Sequence, residues 1–284
     1  VKIPKRLQPL VDDGLIDEVI SRLMSGKEAD VFVVRSGGEI RCAKVYKEAV
    51  KRSFKKAAQY QEGRKVRGGR QARAMGKRSS YGRQLEEEIW QNAEVDALSR
   101  LSRAGVRVPD TYYCIDGVLL MELVCDEEGD VAPQLGHVTL TQEQAIEQYK
   151  TMIHNIKLML CTGLIHGDLS EFNVLVDSNG PVIIDLPQAV NAAANNSAQA
   201  MFSRDVNNMR RYYGQFAPSL LQTQYAKEMW ALFEEANLTP NTVLSGTFEE
   251  SDELADVDSV LDEIQAAEYE EFDRLERIKN ADEE

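Results

Sequence analysis

Two periods of apolar and polar residues divide the chain. Val31-Phe32-Val33-Val34-Arg35 and Ile40-Arg41-Cys42-Ala43-Lys44-Val45-Tyr46 are β-rich runs separated by Ser36-Gly37-Gly38, the composition of a tight hairpin turn. A period of two puts Cys42, Lys44 and Tyr46 on one face of the second strand. Ahead of the hairpin, the pattern predicts a helix from Asp12 to about Ile20 running into a strand. Ile89, Ala93, Ala97 and Leu101 recur at steps of four, which predicts a helix from about Arg83 to Ala104 stopped by Gly105. Val108-Pro109 opens a second strand region, turned at Asp116-Gly117 into the buried-strand run Val118–Val124. A polar linker, Cys125 to Gly136, follows. Thr141 with Gln144 three residues later forms a capping box. It starts a helix through Tyr149, Met152, Ile156 and Met159 that Gly163 closes. Pro181-Val182-Ile183-Ile184 is a short buried strand. Residues 191–199 are polar and rich in Ala and Asn, helical patterns resume over Met201–Phe216 and Leu220–Ala236, and Thr239-Pro240 to Gly246 is expected to be a linker. In the tail, Leu254, Val257, Leu261, Ile264, Phe272, Leu275 and Ile278 fit one or two amphipathic acidic helices, with solvated disorder as the alternative. No internal repeat is visible.

Composition adds an asymmetry. The net charge of the 284 residues is −14, yet residues 249–284 alone carry sixteen acids and three bases, so the rest is close to neutral. Within that rest, residues 63–83 hold eight Arg or Lys and no acid, and a flexible insertion is expected there. Hydrophobic content of 43% suits a globular chain with one bilobal domain or two small ones. No apolar run approaches the roughly 18–20 residues a membrane helix needs, and Val1–Arg6 leads into polar sequence without the apolar core of a signal peptide. The four cysteines (Cys42, Cys114, Cys125 and Cys161) are scattered and the histidines number three, which argues against a disulfide framework or a zinc site. A reduced, cytoplasmic protein is expected.

One stretch carries the chemistry. His166-Gly167-Asp168-Leu169-Ser170-Glu171-Phe172-Asn173 places a carboxylate and a carboxamide five residues apart, and the strand after it ends in a second carboxylate, Asp185. Phosphoryl transfer from ATP needs such a set: one carboxylate for the attacking hydroxyl, an amide oxygen for Mg²⁺, and a second carboxylate bridging metal and phosphates. The spacing H-x-D-x-x-x-x-N followed by an apolar strand ending in Asp is that of kinase-like phosphotransferases. Lys44 in mid-strand and Glu94 in mid-helix match the lysine–glutamate pair of such enzymes. A solvated edge lysine and an exposed helix glutamate are the plainer alternatives. Ser25-Gly26-Lys27 is neither a G-x-G-x-x-G loop nor a Walker A sequence, but a Ser-Gly turn between strands lets backbone amides approach phosphate oxygens.

Taken together, these segments resemble the RIO family of atypical serine/threonine protein kinases, from about Leu15 to Phe216. The resemblance rests on Ser25-Gly26-Lys27-Glu28-Ala29, Ala43-Lys44-Val45-Tyr46-Lys47, Trp90 with Glu94, Leu119-Leu120-Met121-Glu122, Ala132-Pro133-Gln134-Leu135, His166–Asn173 and Ile183-Ile184-Asp185. With no winged-helix domain expected ahead of the core, the chain looks like the first RIO subfamily, a bacterial member being one candidate. The resemblance implies an α+β, bilobal protein-kinase-like fold: an N-lobe antiparallel sheet plus helix, and a mostly helical C-lobe lacking an activation segment and peptide-binding subdomains. The kinase domain is expected over residues 1–245, with the N-lobe to about 122, the hinge over about 122–136 and the C-lobe over about 137–245. Residues 246–284 would form the acidic tail.

Carried over position by position, the resemblance implies Asp168 as catalytic aspartate, Asn173 and Asp185 as ligands of Mg²⁺ or Mn²⁺, and Asp185 as a carboxylate able to take the γ-phosphoryl group transiently. Lys44 and Glu94 would serve the phosphates, with Ser25, Gly26 and Lys27 in the phosphate loop. Val31, Met121, Glu122, Leu123, Val124 and Leu175 would complete the ATP site. Pro187 departs from the family's usual serine. After Asp185 there is no Phe-Gly, no Ala-Pro-Glu and no evident long activation segment, the platform on which ordinary protein kinases hold a peptide. Three functions stay open. One is an ATP-dependent kinase or ATPase that phosphorylates its own serines, or hydrolyses ATP through Asp185, set in small-ribosomal-subunit maturation. The second is a nucleotide-switched module gripping ribosomal RNA or the pre-ribosome through residues 63–83. The third is a small-molecule phosphotransferase. The acidic tail either covers the basic segment or only solvates the chain.

Overall fold

The computed structural model describes residues 3–26, 29–47 and 93–249. The basic segment 63–83, residues 83–92 of the expected helix, and the tail from residue 250 lie outside the described residues, as do Lys27 and Glu28. A short helix α1 (Gln8–Asp12) precedes three strands, β1 (Glu18–Ser25), β2 (Ala29–Ser36) and β3 (Glu39–Tyr46). Helix α2 is described over 93–103, followed by β4 (Thr111–Ile115) and β5 (Val118–Glu122). These five strands form one antiparallel sheet in the order β1-β2-β3-β5-β4. Both two-residue hairpin turns use positive φ at two successive positions, Gly37 and Gly38 at 60° and 81°, Asp116 and Gly117 at 50° and 75°. That backbone matches the twist of the flanking strands, so the Gly-Gly and Asp-Gly pairs set the register.

The inner strands β2, β3 and β5 are buried on both faces, and the period of two sorts their side chains. Phe32, Val34, Ala43, Val45, Val118 and Leu120 face Leu7, Leu10 and Ile16 from the N-terminal segment. Ala29, Tyr46 and Leu119 face the other way, into a core shared with Leu98 and Leu101 of α2. The expected helix over Asp12–Ile20 is corrected here. The helix lies earlier, at Gln8–Asp12, and Glu18 onward is strand. Gly14, at φ 73°, turns the chain out of the helix. The Leu15 and Ile16 amides then both donate to the Leu10 carbonyl, at 2.9 and 3.0 Å, and strand pairing with β2 claims the residues that follow.

The C-lobe is built on α3 (Gln142–Cys161), whose Thr141–Gln144 capping box is complete in both directions. Met152, Ile156, Met159 and Leu160 are buried on it, and each such side chain stabilises the fold by roughly 1.5–3 kcal/mol. Strand β6 (Leu164–Ile165) pairs with β9 (Val190–Asn191), and β7 (Val174–Asp177) forms a hairpin with β8 (Gly180–Ile183). Helices α4 (Ala198–Gly214) and α5 (Tyr225–Glu234) complete the lobe, Phe202 packing its ring 5.7 Å from that of Trp230. The chain between the lobes docks on the hairpin: Val124, Ala132, Val182 and Leu175 form a small apolar cluster, and the Val176 amide donates to Pro133 at 2.9 Å. This is the bilobal, kinase-like α+β fold that the sequence implies.

Residues 239–246 are not a free linker. Lys157 Nζ donates to the Thr242 carbonyl at 2.8 Å, the Ser245 and Gly246 amides donate to Glu228 at 2.6 and 2.8 Å, and Leu244 packs on the core. Composition marks the stretch as a loop, but long-range polar contacts to α3 and α5 fasten it. Among the described residues no helix is long and apolar enough to cross a membrane.

Candidate active site

The alternation of β3 turns Lys44 and Tyr46 to the inner face, where both meet Glu94 on α2. Lys44 Nζ lies 2.7 Å from Glu94 Oε1 and 2.8 Å from Asp185 Oδ1, and the Tyr46 hydroxyl donates to Glu94 Oε2. Glu94 is 2% exposed, and an ammonium and a phenol satisfy its two oxygens. Burial opposes the charge on Lys44, but the carboxylates of Glu94 and Asp185 outweigh it and hold the ammonium above its ordinary range. Burial likewise opposes ionisation of Asp185, and the adjacent Lys44 reverses the balance, keeping its carboxyl below the usual range. Asp185 also adopts φ 63°, a left-handed conformation that costs a non-glycine residue about 1–2 kcal/mol and that aspartate tolerates better than most. The Ile184 amide, donating to the Asn173 carbonyl at 3.0 Å, fixes the turn on which Asp185 sits.

Asn173 immediately precedes β7 and Asp185 follows β8 by two residues, so one hairpin carries both at its open end. Asn173 Nδ2 donates to the Asp168 carbonyl at 2.7 Å, which leaves its Oδ1 as the atom presented to a ligand. An amide oxygen and a carboxylate are hard donors that fit Mg²⁺ or Mn²⁺, ions that take one or two protein oxygens and fill their shell with phosphate and water. Asp168 is exposed, with Gln188 Nε2 at 3.5 Å from its Oδ2. His166 braces the loop from within: its Nδ1 accepts from the Asp168 amide at 3.3 Å and its Nε2 reaches the Ile184 carbonyl at 2.9 Å. Through its two ring nitrogens the imidazole bridges the loop and the strand that leads to Asp185.

Beneath the loop, α4 supplies a cradle. Asp205 accepts the Gly167 and Leu169 amides at 2.8 and 3.0 Å, Arg204 donates to the Gly167 carbonyl, and Asn208 Nδ2 donates to the Leu169 carbonyl at 2.9 Å. Every one of these bonds goes to main chain, so the cradle fixes the shape of the loop whatever its side chains do. Burial pushes the Asp205 carboxyl up to about 6, against the pull of His166 and the two amides.

At the other end, the turn between β1 and β2 is organised by Asp30. Its Oδ1 accepts from Ser25 Oγ at 2.6 Å and from Arg22 at 2.6 Å, with Lys47 Nζ 3.1 Å away. Lys47 also donates to the Gly26 carbonyl at 2.6 Å, and Gly26 N–H closes the turn on Ala29 at 2.9 Å. Burial tends to raise the Asp30 carboxyl, but the bonds from Ser25, Arg22 and Lys47 lower it below the usual range.

A model of the RIO domain matches residues 30–226. The chain belongs to the RIO domain family. It is 32% identical over 211 residues to the RIO-type serine/threonine-protein kinase Rio1 of Haloferax volcanii, covering 72% of this chain and 66% of that protein. The serine/threonine-protein kinase RIO1 of Homo sapiens is 32% identical over 182 residues, 62% of this chain and 30% of that protein. The serine/threonine-protein kinase rio1 of Schizosaccharomyces pombe is 28% identical over 187 residues, 65% of this chain and 36% of that protein. The chain therefore spans between 30% and 66% of the length of these curated relatives.

Within this RIO domain, five of the residues singled out from sequence meet in two groups. Lys44, Glu94 and Asp185 form one hydrogen-bonded group, and Asp168 with Asn173 a second. Val31 stands opposite Lys44 in the β2–β3 pairing, Met121 opposite Cys42, and Val124 packs with Leu175. Leu123 follows β5 directly. Glu122 turns its carboxylate to Arg107, at 2.7 and 2.8 Å, and its amide donates to the Asp110 carbonyl at 2.8 Å. Sequence reasoning missed the cradle of Arg204, Asp205 and Asn208. The available signal was Asp205, an acid four residues from Met201 and from Met209, on the apolar stripe of a helix. Asp30 and Arg107 gave no local signal, since their partners lie on other strands.

Proposed function

We propose that the cleft between the lobes binds ATP with a divalent cation and transfers the γ-phosphoryl group to a serine or threonine hydroxyl or, through Asp185, to water. The observation that carries this reading is Lys44, buried and bridged between Glu94 and Asp185. A lysine held charged at the mouth of a carboxylate-lined turn is a fixed counter-charge for phosphates. The names of the relatives as serine/threonine-protein kinases support it.

In this reading Asp168 accepts the proton of the attacking hydroxyl, and Asn173 and Asp185 would hold the metal, which when bound neutralises charge on the β- and γ-phosphates. Lys44 takes the inner phosphates, while Ser25, Gly26 and Lys27 cover the outer ones. Val31, Met121, Leu123, Val124 and Leu175 enclose the adenine, with the main chain of Glu122. In the alternative branch a carboxylate oxygen of Asp185 attacks the γ-phosphorus, ADP leaves, and water later cleaves the acyl phosphate. That branch is favoured by the short path after Asp185. Only β9 and one loop separate it from α4, a small platform for a peptide. A cytoplasmic setting, and contact of residues 63–83 with ribosomal RNA during small-subunit maturation, belong to the same proposal.

Incubation with γ-labelled ATP, followed by acid and hydroxylamine treatment of the protein, tests the reading. Label stable to hydroxylamine marks a phosphoserine or phosphothreonine, for which Ser53, Ser79 and Ser80 are the candidates. Label lost to hydroxylamine marks the acyl phosphate on Asp185. Absence of both label and ADP release overturns the proposal.

A further inference from the structure

Arg107, in the segment joining α2 to β4, is held from four directions. Its guanidinium takes Glu122 in a two-pronged pair, Nη1 to Oε2 at 2.8 Å and Nη2 to Oε1 at 2.7 Å. Its Nε and Nη2 also reach Asp177 Oδ2, at 3.0 and 2.8 Å. Its amide donates to Asn155 Oδ1 of α3 at 3.4 Å, and its carbonyl accepts from the Ile183 amide at 3.0 Å. Glu122 closes β5 where the chain leaves the N-lobe, and Asp177 closes β7 at the turn of the hairpin in the C-lobe. The side chain of Asp177 is 5% exposed and gives its other oxygen to the Asn179 amide at 2.7 Å, so the hairpin turn and the ion pair share one buried carboxylate.

This arrangement joins the two ends of the cleft. The hairpin carries Asn173 and Asp185 at its open end and Asp177 at its closed end, and Ile183, bonded to the Arg107 carbonyl, lies two residues from Asp185. The antiparallel ladder of β7 with β8 ties the two ends together, from Val174 opposite Ile183 to Asp177 opposite Gly180. Glu122 is continuous with Leu123 and Val124. A planar guanidinium with fixed donors sets angle as well as distance between the two carboxylates, which a lysine ammonium does not.

We infer that Arg107 is a positioning residue that fixes the separation and angle between the adenine end of the cleft, through Glu122, and its metal end, through Asp177 and Ile183. The inference rests on the reading of the cleft as an ATP site. Its consequence is energetic coupling: a ligand that spans both ends gains from the prealigned geometry, and a ligand touching one end does not.

The test compares three probes on the full chain by titration calorimetry: adenosine, inorganic tripolyphosphate with Mg²⁺, and ATP with Mg²⁺. Arg107→Lys keeps the charge and removes the fork. Asp177→Asn keeps the volume and releases the hairpin, and serves where the first variant folds poorly. The expected result is a loss of about 5- to 100-fold in affinity for ATP with Mg²⁺, the usual range of coupling between sites. Affinities for adenosine and for tripolyphosphate stay within about twofold, the span left when coupling alone is removed. A uniform loss across the three probes reveals a merely structural ion pair and overturns the inference, as does undiminished ATP affinity in both variants. Failure of the wild-type chain to bind ATP with Mg²⁺ overturns instead the reading of the cleft on which the inference rests.

Discussion

The loop His166–Asn173 has a carboxylate on either side of it, and the two obey opposite rules. Asp185, in the cleft, sits beside Lys44 and is held below the usual carboxylate range although its partial burial opposes the charge. Asp205, in the cradle, accepts two main-chain amides, and burial drives it up to about 6 against their pull and that of His166 and Arg204. Neutral donors favour the carboxylate less than an ammonium does, so desolvation wins in the cradle and loses in the cleft. The contrast separates two jobs. Under the proposed function Asp185 stays ionised to meet cations and phosphates, while Asp205 serves as a two-amide acceptor that shapes the loop.

The largest expected effect breaks the cleft side. Asp185→Asn lowers phosphoryl transfer from γ-labelled ATP roughly 10³-fold, because charge stabilisation worth several kcal/mol is lost. Unfolding in urea shifts by less than about 1 kcal/mol: the carboxylate is 42% exposed, and asparagine accepts the left-handed backbone as readily. Asp168→Ala, on the loop itself, cuts transfer roughly 10²–10⁴-fold with nucleotide affinity nearly unchanged, the scale of a positioned acid–base group. Wild-type turnover in either variant would remove that residue from the site.

On the cradle side the order of effects reverses. Asp205→Ala strands the Gly167 and Leu169 amides and costs about 2–4 kcal/mol of stability, measured by urea unfolding. The two carboxylates also give opposite slopes with pH. The folded-state value of Asp205 is raised from 3.8 to about 6, so its contribution is full below about pH 4 and is lost as pH rises through 6. That of Asp185 is depressed from 3.8, so its contribution is present above about pH 4 and is lost as pH falls below it. Unfolding of wild type and Asp205→Asn across pH 3.5–7 isolates the Asp205 slope, where a shift of two units corresponds to about 3 kcal/mol, and the Asp185→Asn comparison is extended below pH 3.5. A wild-type curve parallel to that of Asp205→Asn between pH 4 and 6 would contradict the assignment. The smallest effect is Asn208→Ala, about 1 kcal/mol for one bond to the Leu169 carbonyl, read as faster amide exchange in residues 167–169.

The sequence by itself determined the elements and the chemical inventory of the cleft. Hairpins at Gly37-Gly38 and Asp116-Gly117, the Thr141 capping box and the helix stop at Gly105 are local, because turn and cap preferences act over a few residues. Lys44, Glu94, Asp168, Asn173 and Asp185 were legible because spacing within strands and loops dictates which side chains share a face. Near the N-terminus, local reasoning failed because Leu15, Ile16, Val19 and Ile20 recur at helical spacing, whereas pairing with β2 takes Glu18 onward into a strand. Tertiary structure alone decided which carboxylate is pulled down and which is pushed up, because the sign depends on whether an ammonium or an amide lies within about 3 Å, and Lys44 is far from Asp185 along the chain. It alone also decided that Arg107 meets Glu122 and Asp177, and that residues 239–246 are fastened to α3 and α5. Electrostatics and burial are properties of neighbours in space, and a linear pattern records neighbours only along the chain.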